Sequence, residues 1–169
     1  FEKVRELEIP VLIHVSLIRI PKQAIEFENL LEKFPDLTIV AAHYARTAPE
    51  FGLGERLLDA YPNLYMDVSM GGGLSRYQKE IPVARGKYLD FILKYQDRLL
   101  WGTDIILNPK TTEEKLAERI QMDFLVLGKS LYVDQRKGQD PQVVHTGLDL
   151  PRSVLRKILY ENPQRILGF

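Results

Sequence analysis

Residues 99–104 read LLWGTD, and this short stretch decides how the rest of the chain is interpreted. Leu99–Trp101 is an apolar run typical of a buried strand. A Gly and a Thr follow, and then a carboxylate, Asp104, precedes another apolar run. Asp is depleted in strands and is costly to bury without a partner. Asp104 is therefore either the N-cap of a following helix or part of a site at the C-terminal end of the strand.

Three earlier segments have the same form as Leu99–Trp101. These apolar runs, each introduced by a Pro or a turn signal, are Ile9–Val15, Leu37–Ala42 and Leu64–Val68. Helical patterns lie between and after the strands; one opens at Pro21, and the others cover Glu50–Tyr61, Ala84–Tyr95, Thr111–Leu127 and Leu150–Leu167. The order βαβαβαβα, with strand starts about thirty residues apart, predicts an α/β fold with parallel strands covered by helices. The polar stretch Tyr132–Asp149 is interpreted as a long excursion between the last two helices.

The composition excludes several classes of protein. The 169 residues are 45% hydrophobic, and 23 Lys and Arg balance 23 Asp and Glu, as in one soluble globular domain over residues 1–169. The zero formal charge argues against nucleic acid, and the most apolar stretch, Ile9–Ile20, is too short to cross a membrane. The absence of Cys excludes thiolate chemistry. We therefore expect a cytoplasmic protein that binds a small-molecule substrate and not nucleic acid or a membrane, and a homo-oligomer remains open.

Polar side chains occur at the same end of each predicted strand. His14 follows the first strand, His43 the second, Ser69 the third and Asp104 the fourth. In parallel α/β proteins the C-terminal edge of the sheet is where ligands bind. Two imidazoles and a carboxylate can bind a divalent metal or act as general acid and base. Ser69 is a candidate for substrate binding. Each residue alone has a structural explanation, but their shared register favours a site. We expect the tips of His14, His43 and Asp104 to lie within roughly 4 to 8 Å of one another.

The remaining polar residues lie outside the predicted metal site. Arg19 and Arg46 each follow a strand that ends in His, and they are candidates for pairing with an anionic substrate, although surface arginines are usually solvated. Asp67 lies inside its strand between apolar neighbours, so we expect it to pair with a neighbouring helix or loop. His145 lies in the polar excursion and is left out of the predicted site. Gly71–Gly73 lacks the spacing of a nucleotide loop and is interpreted as a flexible active-site loop.

Five segments together resemble the C-terminal half of the amidohydrolase-2 family of metal-dependent TIM-barrel hydrolases and decarboxylases. They are PVLIHVS (10–16), LTIVAAHYA (37–45), NLYMDVS (63–69), RLLWGTD (98–104) and LPRSVLRKILYENPQRILGF (150–169). The resemblance implies that the four βα units are strands five to eight of a TIM (β/α)8 barrel. It also implies that His14 is a metal ligand, that His43 is a metal ligand or catalytic residue, and that Asp104 binds the metal and acts as general base.

The chain departs from the family pattern in one large respect. It has no H-x-H pair after a first strand, and a complete barrel needs about 250 residues. We therefore expect half a barrel, with the N-terminal half lying upstream or on another chain as a partner. The implied cofactor is a divalent metal, zinc by default and manganese or iron as alternatives. The implied reaction is hydrolysis by a metal-activated water. The alternatives are decarboxylation of a small aromatic or unsaturated carboxylic acid, and an inactive half-barrel that serves as an interaction module.

Overall fold

The computed structural model describes residues 1–70, 73–109, 111–136 and 138–168. Its central sheet contains β1 (Val11–Ile13), β2 (Ile39–Ala41), β3 (Leu64–Asp67) and β4 (Leu99–Leu100). The strands are parallel and lie side by side in chain order, β1-β2-β3-β4. This confirms the α/β fold with parallel strands. The numbering of these strands as five to eight of a barrel stays a prediction.

Helices connect the strands and follow them. They are α1 (Glu2–Glu6), α2 (Pro21–Lys33), α3 (Gly52–Ala60), α4 (Leu74–Lys94), α5 (Glu113–Gly128), α6 (Arg152–Arg156) and α7 (Asn162–Leu167). A π-helical turn, Lys157–Glu161, joins α6 to α7. Between α5 and α6 lies an antiparallel hairpin of β5 (Leu131–Val133) and β6 (Val144–Thr146).

The two faces of the sheet carry different apolar clusters, as the alternation of side chains along a strand requires. Alternate residues of the strands join the main core with α2 and α4; among them are Ile39, Ala41, Leu64, Met66 and Leu99. The residues between them, Val40 and Leu100, form a smaller cluster with Ile166 of α7. On β1, Leu12 alternates with core residues and is 68% exposed. Strands that are apolar on both faces are typical of a parallel sheet whose two faces are both covered.

Helix α4 begins at Leu74, well before the predicted start at Ala84. Pro82 lies ahead of that predicted start, and a proline disfavours a helix interior because it lacks an N–H and clashes with the preceding turn. The structure instead places Pro82 inside the helix with a kink at Ala84, and the buried side chains of Tyr77 and Ile81 hold the first half in place. Of the predicted Gly71–Gly73 loop, only Gly73, the N-cap of α4, lies within the described residues.

The stretch Tyr132–Asp149 lies between α5 and α6, as expected of an excursion between the last helices. Within it is most of the β5–β6 hairpin, in which Tyr132 pairs with His145. The strands are only three residues long and half-exposed, so their apolar alternation is too short to be distinguished from a loop.

Gly147, directly after β6, lies where a side chain does not fit. A Cβ there would lie 2.2 Å from the carbonyl oxygen of Lys129. Gly147→Ala should therefore lower the free energy of unfolding by about 3 kcal/mol, the cost of forcing apart a packed backbone. Gly86 is the matched control, because its Cβ would meet nothing within 4 Å in the exposed interior of α4. Gly86→Ala should raise the free energy of unfolding by about 0.5–1 kcal/mol. Urea denaturation measures both, and equal midpoints for Gly147→Ala and the parent would disprove this packing.

Candidate active site

The C-terminal ends of β1 to β4 open onto a cleft of about 450 Å³. All four strand-end residues of the sequence prediction, His14, His43, Ser69 and Asp104, line it. A second cavity of about 440 Å³ lies between β1 and α2, has a largely apolar lining and shares only His14 with the cleft. The cleft therefore brings imidazole, hydroxyl and carboxylate groups from the four strand ends together.

The predicted metal-binding and catalytic side chains are close to one another. The imidazole rings of His14 and His43 lie edge to face, with centroids 5.0 Å apart. His43 Nε2 lies 3.6 Å from Asp104 Oδ1. His43 is only 7% exposed, whereas the Asp104 side chain is 37% exposed and His14 is open to solvent. The three residues line one cleft that has a buried wall at His43 and an open side at Asp104.

An unusual backbone turn delivers the His43 ring to the cleft. His43, Tyr44, Ala45 and Arg46 all have positive φ, between 53° and 59°. For residues with a Cβ this left-handed conformation costs roughly 1–2 kcal/mol each. The fully buried Tyr44 ring offsets this cost, since it packs edge to face on Phe51 and Phe91. Tertiary packing therefore holds His43 in a conformation that its local sequence does not favour.

Asp104 is positioned by the loop after β4. It also has a positive φ, 53°, which Asp tolerates better than most residues. Arg119 of α5 donates a hydrogen bond to the Thr103 carbonyl oxygen at 3.2 Å and so fixes the peptide that precedes Asp104. The next helix, α5, begins only at Glu113 and is capped by Thr112. Asp104 is therefore not a helix cap, and the structural alternative considered for it is wrong.

Asp67 and Ser69 form the wall behind His43. Asp67 Oδ1 accepts hydrogen bonds from the backbone N–H of His43 at 3.0 Å and from the backbone N–H of Ser69 at 2.8 Å. It also accepts a hydrogen bond from the Ser69 hydroxyl at 2.5 Å. Ser69 Oγ in turn lies 2.7 Å from His43 Nδ1. Asp67 therefore pairs with the segment that follows β2, as expected of a loop partner. It also lines the cleft, which the sequence did not indicate.

Gly102 in the WGTD stretch makes room for this arrangement. A Cβ on Gly102 would lie 3.2 Å from Asp67 Cγ, tighter than an ordinary contact. The glycine lets the β4 loop pass directly over the Asp67 carboxylate. The WGTD stretch therefore supplies the cleft with both the Asp104 carboxylate and the space for Asp67.

Burial lowers the pKa of His43 below its ordinary value, although the nearby Asp67 and Asp104 carboxylates oppose the shift. Burial therefore favours the neutral form of the His43 ring. Its separation of 3.6 Å from Asp104 is too long for a hydrogen bond, but it is shorter than the span of about 4.4 Å that two ligands of one zinc ion can have. A neutral imidazole beside a carboxylate thus fits a divalent cation. The donor set is partial, because no group of three or more His, Cys, Asp or Glu in the described residues is placed to hold a metal.

The amidohydrolase family model matches residues 1–169, the whole chain. The chain belongs to the amidohydrolase family. This confirms the resemblance that the strand-end motifs and the C-terminal segment indicate. No protein with a curated description matches this amidohydrolase chain significantly.

Solved structures share the fold of this amidohydrolase chain. An uncharacterized TIM-barrel protein from Bordetella bronchiseptica matches 99% of the chain with a TM-score of 0.59 and 22% identity. A candidate 2-pyrone-4,6-dicarboxylic acid hydrolase from Pseudomonas putida matches 99% with a TM-score of 0.59 and 17% identity. The chain covers 48% and 54% of these two proteins, so it spans about half the length of the structures it matches.

The remaining candidates of the amidohydrolase chain lie outside the cleft lining. Arg19 is exposed, and Arg46 is half-buried, with the Asp104 carboxylate among the charges that act on it. Their role in binding a substrate stays a prediction. His145 lies on β6 with its ring 5.4 Å from that of Tyr132 and does not line the cleft. Among the helices of the described residues, none is long and apolar enough to cross a membrane.

Proposed function

We propose that this protein is a metal-dependent hydrolase of the amidohydrolase type, in which a water molecule attacks a carbonyl-type bond of a small molecule. The observation that carries the proposal is the convergence of His14, His43 and Asp104 on one cleft at the C-terminal edge of a parallel sheet. Membership of the amidohydrolase family supports an enzyme. The chain spans about half of its structural neighbours, so the activity belongs to the complete protein.

In this proposal His14 and Asp104 hold a divalent cation, with zinc as the default and manganese or iron as alternatives, and His43 lies beside the ion or adds a further bond to it. When bound, such an ion supplies Lewis acidity, which polarises a carbonyl and makes water more acidic. The partial donor set leaves further ligands to the N-terminal barrel half, the expected partner of this chain.

Asp104 is the group best placed to move protons. Its side chain is 37% exposed on the open side of the cleft, where an attacking water has access. We assign it to accept a proton from that water and to return the proton to the leaving group. His43, neutral and buried behind it, either adds a bond to the ion or polarises the substrate carbonyl. Arg46 is the preferred candidate for an anionic substrate group, because it is close enough to Asp104 for their charges to interact.

Product analysis in H₂¹⁸O tests the reaction class. We expect the metal-loaded full-length protein to open a small cyclic ester or amide, with one ¹⁸O atom entering the new carboxyl group and no release of CO₂. The compound named for the Pseudomonas putida structure, 2-pyrone-4,6-dicarboxylic acid, is a suitable first member of the substrate panel. Release of CO₂ with no ¹⁸O in the organic product would instead establish a decarboxylase and contradict the proposal.

A further inference from the structure

We propose that Asp67 and Ser69 are positioning residues that fix the ring tautomer of His43, so that its Nε2 presents a lone pair to the cleft. Only the role of that lone pair in binding a metal rests on the proposed function. The tautomer itself follows from the hydrogen bonds of three buried side chains.

The Ser69 hydroxyl has one proton and two neighbouring groups toward which it could point. Its oxygen lies 2.5 Å from Asp67 Oδ1 and 2.7 Å from His43 Nδ1. A hydrogen bond to an ionised carboxylate is stronger and shorter than one to a neutral acceptor, so the proton goes to Asp67. Ser69 Oγ is then left as an acceptor toward His43, and the bond at 2.7 Å requires a proton on Nδ1.

The surroundings prevent this chain of hydrogen bonds from rearranging. Asp67, Ser69 and His43 are each no more than 8% exposed, so little water competes for the hydrogen bonds among them. Asp67 Oδ1 is also held by the backbone N–H groups of His43 and Ser69, which fix the carboxylate relative to both partners. Gly102 packs closely against the Asp67 carboxylate and limits its movement.

A proton on Nδ1 of neutral His43 leaves Nε2 without one. Nε2 then faces Asp104 Oδ1 at 3.6 Å, so two acceptors point at each other. Such a pair is unfavourable unless a cation or a hydrogen-bond donor lies between them. A lone pair on Nε2 therefore suits His43 to bond a cation there, and it argues against His43 as an N–H donor to a substrate carbonyl. Partners of this kind orient metal-binding histidines in general.

Nitrogen NMR of the imidazole rings tests the tautomer directly. In ¹⁵N-labelled full-length protein treated with a chelator, two-bond ¹H–¹⁵N correlations distinguish a protonated ring nitrogen from an unprotonated one. The His43 signals are assigned by their loss in His43→Gln. We expect Nδ1 to be protonated and Nε2 unprotonated. A parent spectrum with the proton on Nε2 would overturn the inference, whatever the activity of the enzyme.

Variants of Ser69 separate positioning from packing. Ser69→Ala should move the His43 proton at least partly to Nε2 and weaken zinc binding by about 10- to 100-fold, the usual effect of removing such a partner. Ser69→Thr keeps the hydroxyl and should retain the parent tautomer. Ser153→Ala, at an exposed position on α6, is the matched control and should leave the His43 signals unchanged. An unchanged tautomer in folded Ser69→Ala would contradict the inference. Loss of hydrolysis alone would not, because the NMR measurement needs neither metal nor substrate.

Discussion

Asp104→Asn should lower kcat/KM by about a thousandfold or more, because an amide keeps the volume of the carboxylate but cannot accept the proton of the attacking water. The fold should not change. Asp104 is not a helix cap, its side chain is 37% exposed, and Asn tolerates its positive φ as well as Asp does. The free energy of unfolding should stay within about 0.5 kcal/mol of the parent value.

Steady-state kinetics on the full-length protein, together with urea denaturation, measure both expectations. Asp149→Asn is the matched control, because Asp149 has a similar positive φ of 56°, is exposed and lies away from the cleft. It should leave kcat/KM within about twofold of the parent value, as expected of a surface substitution. A rate for Asp104→Asn within about tenfold of the parent would show that Asp104 is not the general base.

Removal of divalent metal should lower turnover at least about a hundredfold, since both the acidity of the attacking water and the polarisation of the carbonyl depend on the ion. The experiment is dialysis against a chelator, followed by addition of one metal at a time. Zinc, manganese or iron(II) should restore activity, because each accepts imidazole and carboxylate ligands. Calcium should not, because it prefers sites made only of oxygen.

Circular dichroism before and after chelation serves as the control that the fold persists. His14→Ala should require a higher zinc concentration for recovery than the parent, because it removes one donor. Full turnover in protein whose metal content has fallen well below one ion per ten chains would contradict a metal-dependent mechanism.

The parallel sheet was predictable because its strands are apolar on both faces. Runs such as Ile39–Ala41 and Leu99–Leu100 leave no polar face for solvent, which indicates helices on one side and further cover on the other. The last apolar residue of each run also placed His14, His43 and Asp104 at the same C-terminal edge of the sheet. Their meeting at one cleft followed from strand register alone, without knowledge of any contact.

The support behind these residues was not predictable, because it depends on tertiary contacts. Nothing in the sequence HYAR indicates a left-handed turn, since it lacks glycine, and only the burial of Tyr44 among the core rings selects that turn. The partners of Asp67 were not predictable individually, because a carboxylate inside a strand does not indicate which groups it contacts. The hydrogen bonds from His43 and Ser69 that satisfy it come from two different strand ends.

Anomalous diffraction from crystals of the zinc-loaded full-length protein tests the central claim most directly. The account predicts one strong anomalous peak in the cleft, about 2.0–2.2 Å from a ring nitrogen of His14, from Nε2 of His43 and from a carboxylate oxygen of Asp104. A zinc-loaded crystal without a peak in this cleft, or with a zinc ion whose ligands include neither His14 nor Asp104, would contradict it.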